Sequence, residues 1–420
     1  MSANVNWSIA KVHLLSRKRQ TMVAILGVTF GISMFILMIS FMNGTNEFLQ
    51  DAMLSSTPDI HIYNDIKTDS RSSITEQYFR SLPNTIIFVD HPRPKNASKN
   101  LKNSDGIMKD LERNEQVAAV SPVVSAHVFF YYGPVQLNGI IDGVNINEEK
   151  KVLNISAKMV EGKPEGLTTI DNSILLGQGL AENLNVHTGD LVTVLTEAGN
   201  IVQLHVAGIF QFGLGAVDNI KAFMNLSDVQ QLLGKDRNFV TDIHVKAKDI
   251  GESKKLANVF SQKYNYKAED WATANASILA TVVTRNVMTW VVSIALLVVA
   301  GFGIYNIMNM TIANKLKDIA ILKAEGFKGR DIASIFLSQC IVIGIIGAAL
   351  GITLGFVLSY LVSRIPFPKS DLVSLKFFPV IFETKYYLLA VAFGVFTTFI
   401  AGLMPSVRAS KSDPVAILRG

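Results

Sequence analysis

The segment Asn314–Asp331 holds the residues whose types and spacing most resemble a working surface. Leu316, Ile319, Ala320 and Phe327 fall on one helical face, and Ile321, Leu322 and Ala324 lie round from it. Lys317, Asp318, Lys323 and Glu325 supply charge, Gly326 suits a helix C-cap and Asp331 an N-cap. The chemistry on offer is docking. A short helix this apolar is costly if solvated, so it fits a partner's groove or the headgroup layer of a membrane. In the groove reading Ile319, Ile321, Leu322 and Phe327 are hydrophobic anchors, with Lys317, Lys323 and Glu325 at the rim.

Catalytic patterns are missing elsewhere. No GxxxxGK[ST] occurs: Gly162-Lys163-Pro164 and Gly234-Lys235-Asp236 lack the flanking glycine and the Ser/Thr. There is no HExxH and no GxSxG, and we assign no catalytic residue. The 7 histidines are scattered without metal-ligand spacing, and no metal site is expected. His61, His205 and His244 sit in alternating patterns and read as strand surface residues. The single cysteine, Cys340, falls in an apolar stretch, so the chain forms no internal disulfide.

The elements that must position the docking segment are membrane spans. Four apolar stretches, Thr21–Phe41, Val287–Ile312, Ile332–Val362 and Tyr386–Met404, approach or exceed the ~20 residues that cross a bilayer. About 240 mostly polar residues separate the first from the second. The expected fold is a multi-pass α-helical membrane protein with one span, a large α+β domain, then three spans. Its parts are an interfacial amphipathic helix (1–20), the first span (21–42), the domain (43–286), the second span (287–312), the docking helix (313–331), the third span (332–362), a short loop (363–385), the fourth span (386–404) and a tail (405–420). Hydrophobic residues make up 49% and charged residues 17% of the chain, as such a mixture requires.

Arg17, Lys18 and Arg19 precede the first span, with Lys11 behind them; Lys315, Lys317, Lys323, Lys328 and Arg330 follow the second; Arg408, Lys411 and Arg419 follow the fourth. The positive-inside rule puts these regions and both termini in the cytoplasm. The domain and the loop carrying Arg364, Lys369, Lys376 and Lys385 are then external. The net charge of +5 is explained by anionic lipid and topology, so no nucleic acid is expected. The first span is too long for a signal-peptide core, and Phe41-Met42-Asn43-Gly44 is not a small-residue cleavage site, so the span is retained. No charged residue lies within spans one, two or four. A self-powered secondary transporter usually needs one at membrane depth, so energy must enter from elsewhere.

In the amino-terminal helix Val5, Ile9, Val12 and Leu15 form an apolar face beside Trp7. The first span's helix continues toward Pro58, and strands begin at Asp59–Tyr63. Residues 64–105 are rich in Lys, Asn, Ser and Pro, and His91-Pro-Arg-Pro-Lys-Asn96 marks an irregular stretch. Further strands are expected at Val128–Tyr132, Gln136–Asp142, Ser173–Leu176, Leu191–Thr196, Ile201–Ile209 and Thr241–Lys246. Helices are expected at Gln178–Leu184, at Leu226–Leu233 with Ser227 and Asp228 as caps, and at Ile250–Tyr264. Glu197-Ala-Gly-Asn200 makes a short hairpin turn.

The run Asp318-Ile-Ala-Ile-Leu-Lys-Ala-Glu-Gly-Phe327 resembles the E-I-A-I-L-R-x-x-G signature of FtsX/MacB-type ABC transporter permeases. Ile335-Phe-Leu-Ser-Gln-Cys-Ile-Val-Ile-Gly344 resembles the family's third span. Pro405-Ser-Val-Arg-Ala-Ser-Lys-Ser-Asp-Pro-Val-Ala-Ile-Leu418 resembles its ending. Ser173-Ile-Leu-Leu-Gly-Gln-Gly-Leu-Ala181, Val186-His-Thr-Gly-Asp190, Leu204-His-Val-Ala-Gly-Ile-Phe210 with Asp218, and Leu226–Leu233 resemble the lipoprotein-releasing LolC/LolE branch. The resemblance implies an inner-membrane permease subunit of a bacterium, paired with a second copy or a paralogue. A separate ABC ATPase would bind ATP and Mg, leaving this chain without a cofactor. Residues 317–327 would be its coupling helix. The branch's extended hook, which grips a periplasmic carrier, has only Glu197–Asn200 in its place. Lipoprotein release is the first reading. MacB-like export through an adaptor and outer-membrane channel, or FtsX-like control of a cell-wall hydrolase, are the alternatives.

Two further sets of residues stand out. Gly347, Gly351 and Gly355 form a small-xxx-small row, read either as a dimer contact or as packing within the chain. Phe35, Met38, Phe41 and Met42 on span one, with Met288 and Trp290 on span two, suit contact with acyl chains and mark a candidate substrate-access site.

Overall fold

The computed structural model describes residues 3–16, 18–65, 98–368, 373 and 375–413. The Pro-rich stretch His91–Asn96, Lys369 and the end of the tail with Arg419 lie outside the described residues. In chain order the elements are α1 (Ala3–Ser16), α2 (Lys18–Ser56), β1 (Ile60–Tyr63), α3 (Ser104–Glu112), β2 (Val117–Tyr132), β3 (Val135–Val144), α4 (Ile146–Val152), β4 (Met159–Gly162), β5 (Ser173–Gly177), α5 (Gln178–Leu184), β6 (Leu191–Thr196), β7 (Ile201–Phe210), β8 (Lys221–Asn225), α6 (Leu226–Leu232), β9 (Asp242–Ala247), α7 (Ser253–Tyr264), β10 (Lys267–Asp270), α8 (Ala276–Asn314), α9 (Leu316–Ala324), α10 (Gly329–Ser363) and α11 (Thr384–Lys411), besides single helical turns.

Two units divide the chain. Among the described residues four helices are long and apolar enough to cross a membrane, α2, α8, α10 and α11, of 39, 39, 35 and 28 residues; the first unit holds α10, α11, α2 as far as Phe48 and α8 from Ala280. At 1.5 Å per residue α2 and α8 each run about 58 Å, well beyond the ~30 Å hydrocarbon thickness. Their core gathers Ile32, Phe35, Ile36, Leu297, Met308 and Phe336. Glycine lets α10 approach α2 closely. A Cβ added at Gly347 would lie 2.7 Å from Val28, one at Gly351 2.8 Å from Ile32, and one at Gly355 3.0 Å from Ile36. The glycine row therefore packs within the chain, and the dimer-contact reading of these three residues is corrected. Thr29 adds a hydroxyl bond to the Gly347 carbonyl at 3.3 Å. The amino-terminal helix α1 packs along α10 with Ala10 buried and Ile9 and Leu14 against the core. Val12 and Leu15, expected on the apolar face, are exposed instead. Packing on a helix neighbour, not amphipathic periodicity, chose the inner face.

The second unit is a mixed α/β domain. Its strands pair in the order β10-β1-β9-β2-β3-β8-β5-β7-β4, with β6 joining β7 to β2. That last pairing closes β2, β3, β8, β5, β7 and β6 into a ring. Ring closure removes open edges from these strands. The 16-residue strand β2 serves twice: Val117–Val123 pairs with β9 and Val128–Tyr131 with β6. Val124, Val128, Phe130, Ile174, Val194 and Val206 form a cluster from strands of the ring. On the β10-β1-β9-β2 sheet, Ile60, Ile62, Ile243 and Val245 point to one face and pack with Leu111 of α3 and Phe260 of α7.

The other face of that sheet is polar. His61 and His244 stand side by side on β1 and β9, with ring centroids 5.4 Å apart. His244 is buried and pairs through Nδ1 with Glu149 of α4 at 2.7 Å, while His61 pairs with Asp242 at 2.7 Å. The expectation of a surface residue is thus corrected for His244: α4 covers the face that alternation alone presents to water. His205 is exposed. Burial pulls the His244 imidazole down, but the Glu149 carboxylate outweighs it and holds the pKa above the ordinary value. Nearby, burial again opposes charge at Lys221, and Asp142 at 2.9 Å raises its pKa.

Local signals shifted several ends. Helix α6 is capped by the Asn225 side chain, which accepts from the Ser227 N–H at 3.2 Å, not by Ser227 or Asp228. The expected Ile250–Tyr264 helix opens as a 3-10 turn, Ile250–Glu252, before α7.

Candidate functional site

The docking segment forms helix α9 between α8 and α10. Its end is a Schellman turn. Gly326 adopts φ +98°, the Phe327 N–H donates to the Leu322 carbonyl at 3.1 Å, and the Gly326 N–H donates to the Lys323 carbonyl at 3.1 Å. Only glycine takes that left-handed conformation without a steric penalty. The next helix begins at Gly329, so Asp331 is not its N-cap. It sits in the first turn, and its carboxylate accepts from the Lys328 N–H at 3.0 Å. The Lys315 ammonium pairs with Asp318 at the start of α9.

Packing divides the helix into two faces. Ile319 is 1% exposed and Phe327 8%; both belong to the core of the membrane unit, and Leu322 packs against it. Ile319 and Phe327 therefore hold α9 in place and cannot anchor a partner. Lys323 turns inward as well, donating to the carbonyls of Ser410 at 2.8 Å and Ser412 at 2.6 Å, so it is not a rim charge. What α9 presents outward is Lys317, Ile321, Ala324 and Glu325, with Ile321 50% exposed. A large apolar side chain ringed by Lys317 and Glu325 is the arrangement of a docking anchor. The role of Ser410 and Ser412 was invisible in the sequence: no spacing rule links them to a lysine some 90 residues earlier.

The candidate access residues separate in the same way. Phe35 is buried and stacks on Phe393 at 6.1 Å, so it is core. Phe41 lies 5.8 Å from Phe378 and is half-buried, as are Met38 and Met42. Met288 and Trp290 are exposed on α8.

In the domain unit the hairpin turn Glu197–Asn200 is short and tied down. Gly199 takes φ +86°, the Gly199 N–H donates to the Thr196 carbonyl at 2.9 Å, and Asn200 Nδ2 donates to the Leu232 carbonyl at 2.8 Å. Val373, between α10 and α11 in the chain, belongs to the same unit as Leu214 and forms an antiparallel bridge with it.

Residues 21–260 match the MacB-like periplasmic core domain and residues 290–414 the FtsX-like permease C-terminal region. The chain is 26% identical over 425 residues to the lipoprotein-releasing system transmembrane protein LolC of Neisseria meningitidis, covering 95% of this chain and 94% of that protein. It is 22% identical over 432 residues to the macrolide export ATP-binding/permease protein MacB of Acinetobacter baylyi, covering 98% of this chain and 59% of that longer protein. A solved structure of the periplasmic region of MacB from Actinobacillus actinomycetemcomitans aligns with TM-score 0.34 at 14% identity, over 55% of this chain and 97% of that one.

Proposed function

The chain belongs to the family of ABC transporter permeases that join a MacB-like periplasmic core domain to an FtsX-like C-terminal region, and on that premise we propose that it turns ATP hydrolysis by a separate subunit into movement of its large domain, releasing lipoproteins or another amphiphile from the membrane. The observation that carries this reading is the two-sided helix α9. Ile319 and Phe327 fix it in the membrane unit, while Ile321, Lys317 and Glu325 face outward. Such a helix receives force from a partner and passes it to its neighbours α8 and α10.

The termini and α9 lie in the cytoplasm, and the domain lies in the periplasm. The basic residues flanking α9 and both termini support putting the α10–α11 connection on the domain's side. A permease pair, either two copies or one copy and a paralogue, would work with two ATPase subunits holding ATP and Mg. Met288 and Trp290 on α8, with Met42 on α2, are the residues we assign to contact with acyl chains. Lipoprotein cargo is supported by the end-to-end similarity to LolC.

A second reading, periplasmic mechanotransmission with an adaptor, is favoured by the tight Glu197–Asn200 turn, which leaves no extended hook for a carrier.

The test is Ile321→Asp in the full chain, purified with its ABC ATPase. Loss of an exposed anchor costs more than ~2 kcal/mol, about 30-fold in affinity. The variant should lose the ATPase while its membrane unit melts as the wild type does. Retention of the ATPase with unchanged hydrolysis would remove α9 from the coupling path. Mass spectrometry of molecules released on ATP addition decides the cargo: a lipid-anchored protein supports release, and bulk phospholipid alone refutes it.

A further inference from the structure

Lys323 stands in the docking helix but directs its charge to the far end of the same chain. Its Nζ donates to the Ser410 and Ser412 carbonyls at 2.8 and 2.6 Å. These two oxygens straddle the end of α11, which closes at Lys411. The last carbonyls of a helix lack intrahelical partners and carry the negative end of its dipole. An ammonium has three donors in a compact charge, so it can satisfy both oxygens at once.

The contact is built from three sides. A Cβ added at Gly329, the first residue of α10, would lie 2.8 Å from the Ser410 carbonyl oxygen, so glycine there admits the end of α11. The Ser412 hydroxyl closes the turn by donating to the Ala409 carbonyl at 2.8 Å. Helix α9 continues covalently into α8 and α10 within a few residues. It has no such link to α11, whose first residue is Thr384.

Resting on the docking reading above, we propose that Lys323 is a positioning residue that binds the carboxyl-terminal end of α11 to α9, so that a load on α9 reaches the fourth span together with the second and third. The clamp stays closed while α9 moves. Its two carbonyl partners make it specific for a donor that can serve two acceptors, a role arginine can fill and methionine cannot.

The test uses the full chain in lipid nanodiscs, spin-labelled at Lys328→Cys, just past the turn that ends α9 and outside its docking face, and at Lys411→Cys. Both positions are exposed, whereas the native Cys340 is buried. Pulsed EPR should give one narrow distance that is unchanged when the ATPase subunit and a non-hydrolysable nucleotide are added. Lys323→Met should broaden the distribution at least about twofold, with or without the ATPase, and Lys323→Arg should restore it. The Cys340 protection midpoint should stay at the wild-type value in both variants. Ile321→Asp probes docking alone and should leave the distance as it is, so the two ideas fail separately. A narrow, unshifted distance in Lys323→Met, or a native distance that changes with nucleotide, overturns the clamp.

Discussion

Substituting Gly351 with alanine tests the packing of the membrane unit. The new Cβ would sit 2.8 Å from Ile32 Cβ, 2.9 Å from Ile32 Cγ2 and 3.1 Å from the Thr29 carbonyl oxygen. Carbon atoms prefer about 3.5–4.0 Å. The obstructing atoms are the Cβ and Cγ2 of a β-branched side chain and a backbone oxygen, so no flexible side-chain tip can yield. Overpacking of this kind costs about 1–3 kcal/mol. Alanine recovers up to about 1 kcal/mol of helix propensity over glycine, and the sign of the net effect depends on Ile32.

The measurement is therefore a double-mutant cycle. In the native background Gly351→Ala should lower the melting midpoint, at about 2–4 °C per kcal/mol for a unit of this size. In an Ile32→Gly background the same substitution should be neutral or stabilising. The coupling between the two sites should be about 1–3 kcal/mol, as for residues in direct contact. The single cysteine provides the assay: Cys340 is buried, so a thiol-reactive dye reports unfolding of this unit. An identical shift in both backgrounds refutes the contact. A loss that deepens on dilution would mark an interface between chains instead.

Three other expectations follow from the same structure. Asp218 is buried and accepts from the Phe212 and Gly213 N–H groups at 2.8 Å each; Asp218→Ala should destabilise the domain by about 1.5–3 kcal/mol or more, read as earlier thermal unfolding in a variant that keeps Trp271 as its one tryptophan. His244 has a raised folded-state pKa, so its pairing stabilises fully below the unfolded value of about 6.5 and is lost as pH rises through the folded value. The domain should therefore melt earlier on the alkaline side, with Glu149→Gln less stable near pH 6 but free of that alkaline loss, and an unchanged alkaline slope in Glu149→Gln would refute it. Leu322→Asp should unfold the α9 region, because Leu322 packs against the core, whereas Ile321→Asp should not; equal melting of the two variants would contradict the face assignment.

Much of the fold was readable because its signals are local. Long apolar stretches mark the membrane helices, and β-rich runs bounded by Gly and Asn mark the β6–β7 hairpin. The helix Gln178–Leu184 is legible at its observed limits because its apolar face is contiguous in the chain and Asn185, in the left-handed conformation, ends it. The docking segment was legible as a helix for the same reason. Its working face was not, since apolar residues lie all round it and the sequence holds no record of which side α10 and α11 cover.

Sequence alone determined that this chain crosses a membrane in a one-plus-three pattern and that a short apolar helix links the second and third spans. It also determined that three glycines four apart permit close helix approach. Tertiary structure decided what approaches: Val28, Ile32 and Ile36 of the same chain. It decided that His244 is buried, because α4 lies over a strand face that period-two alternation assigns to solvent. It also sent Lys323 to Ser410 and Ser412 and left Ile321 outside. Hydrophobic burial is non-directional, so a sequence states how much apolar surface must be covered, and only the packed chain states by which neighbour.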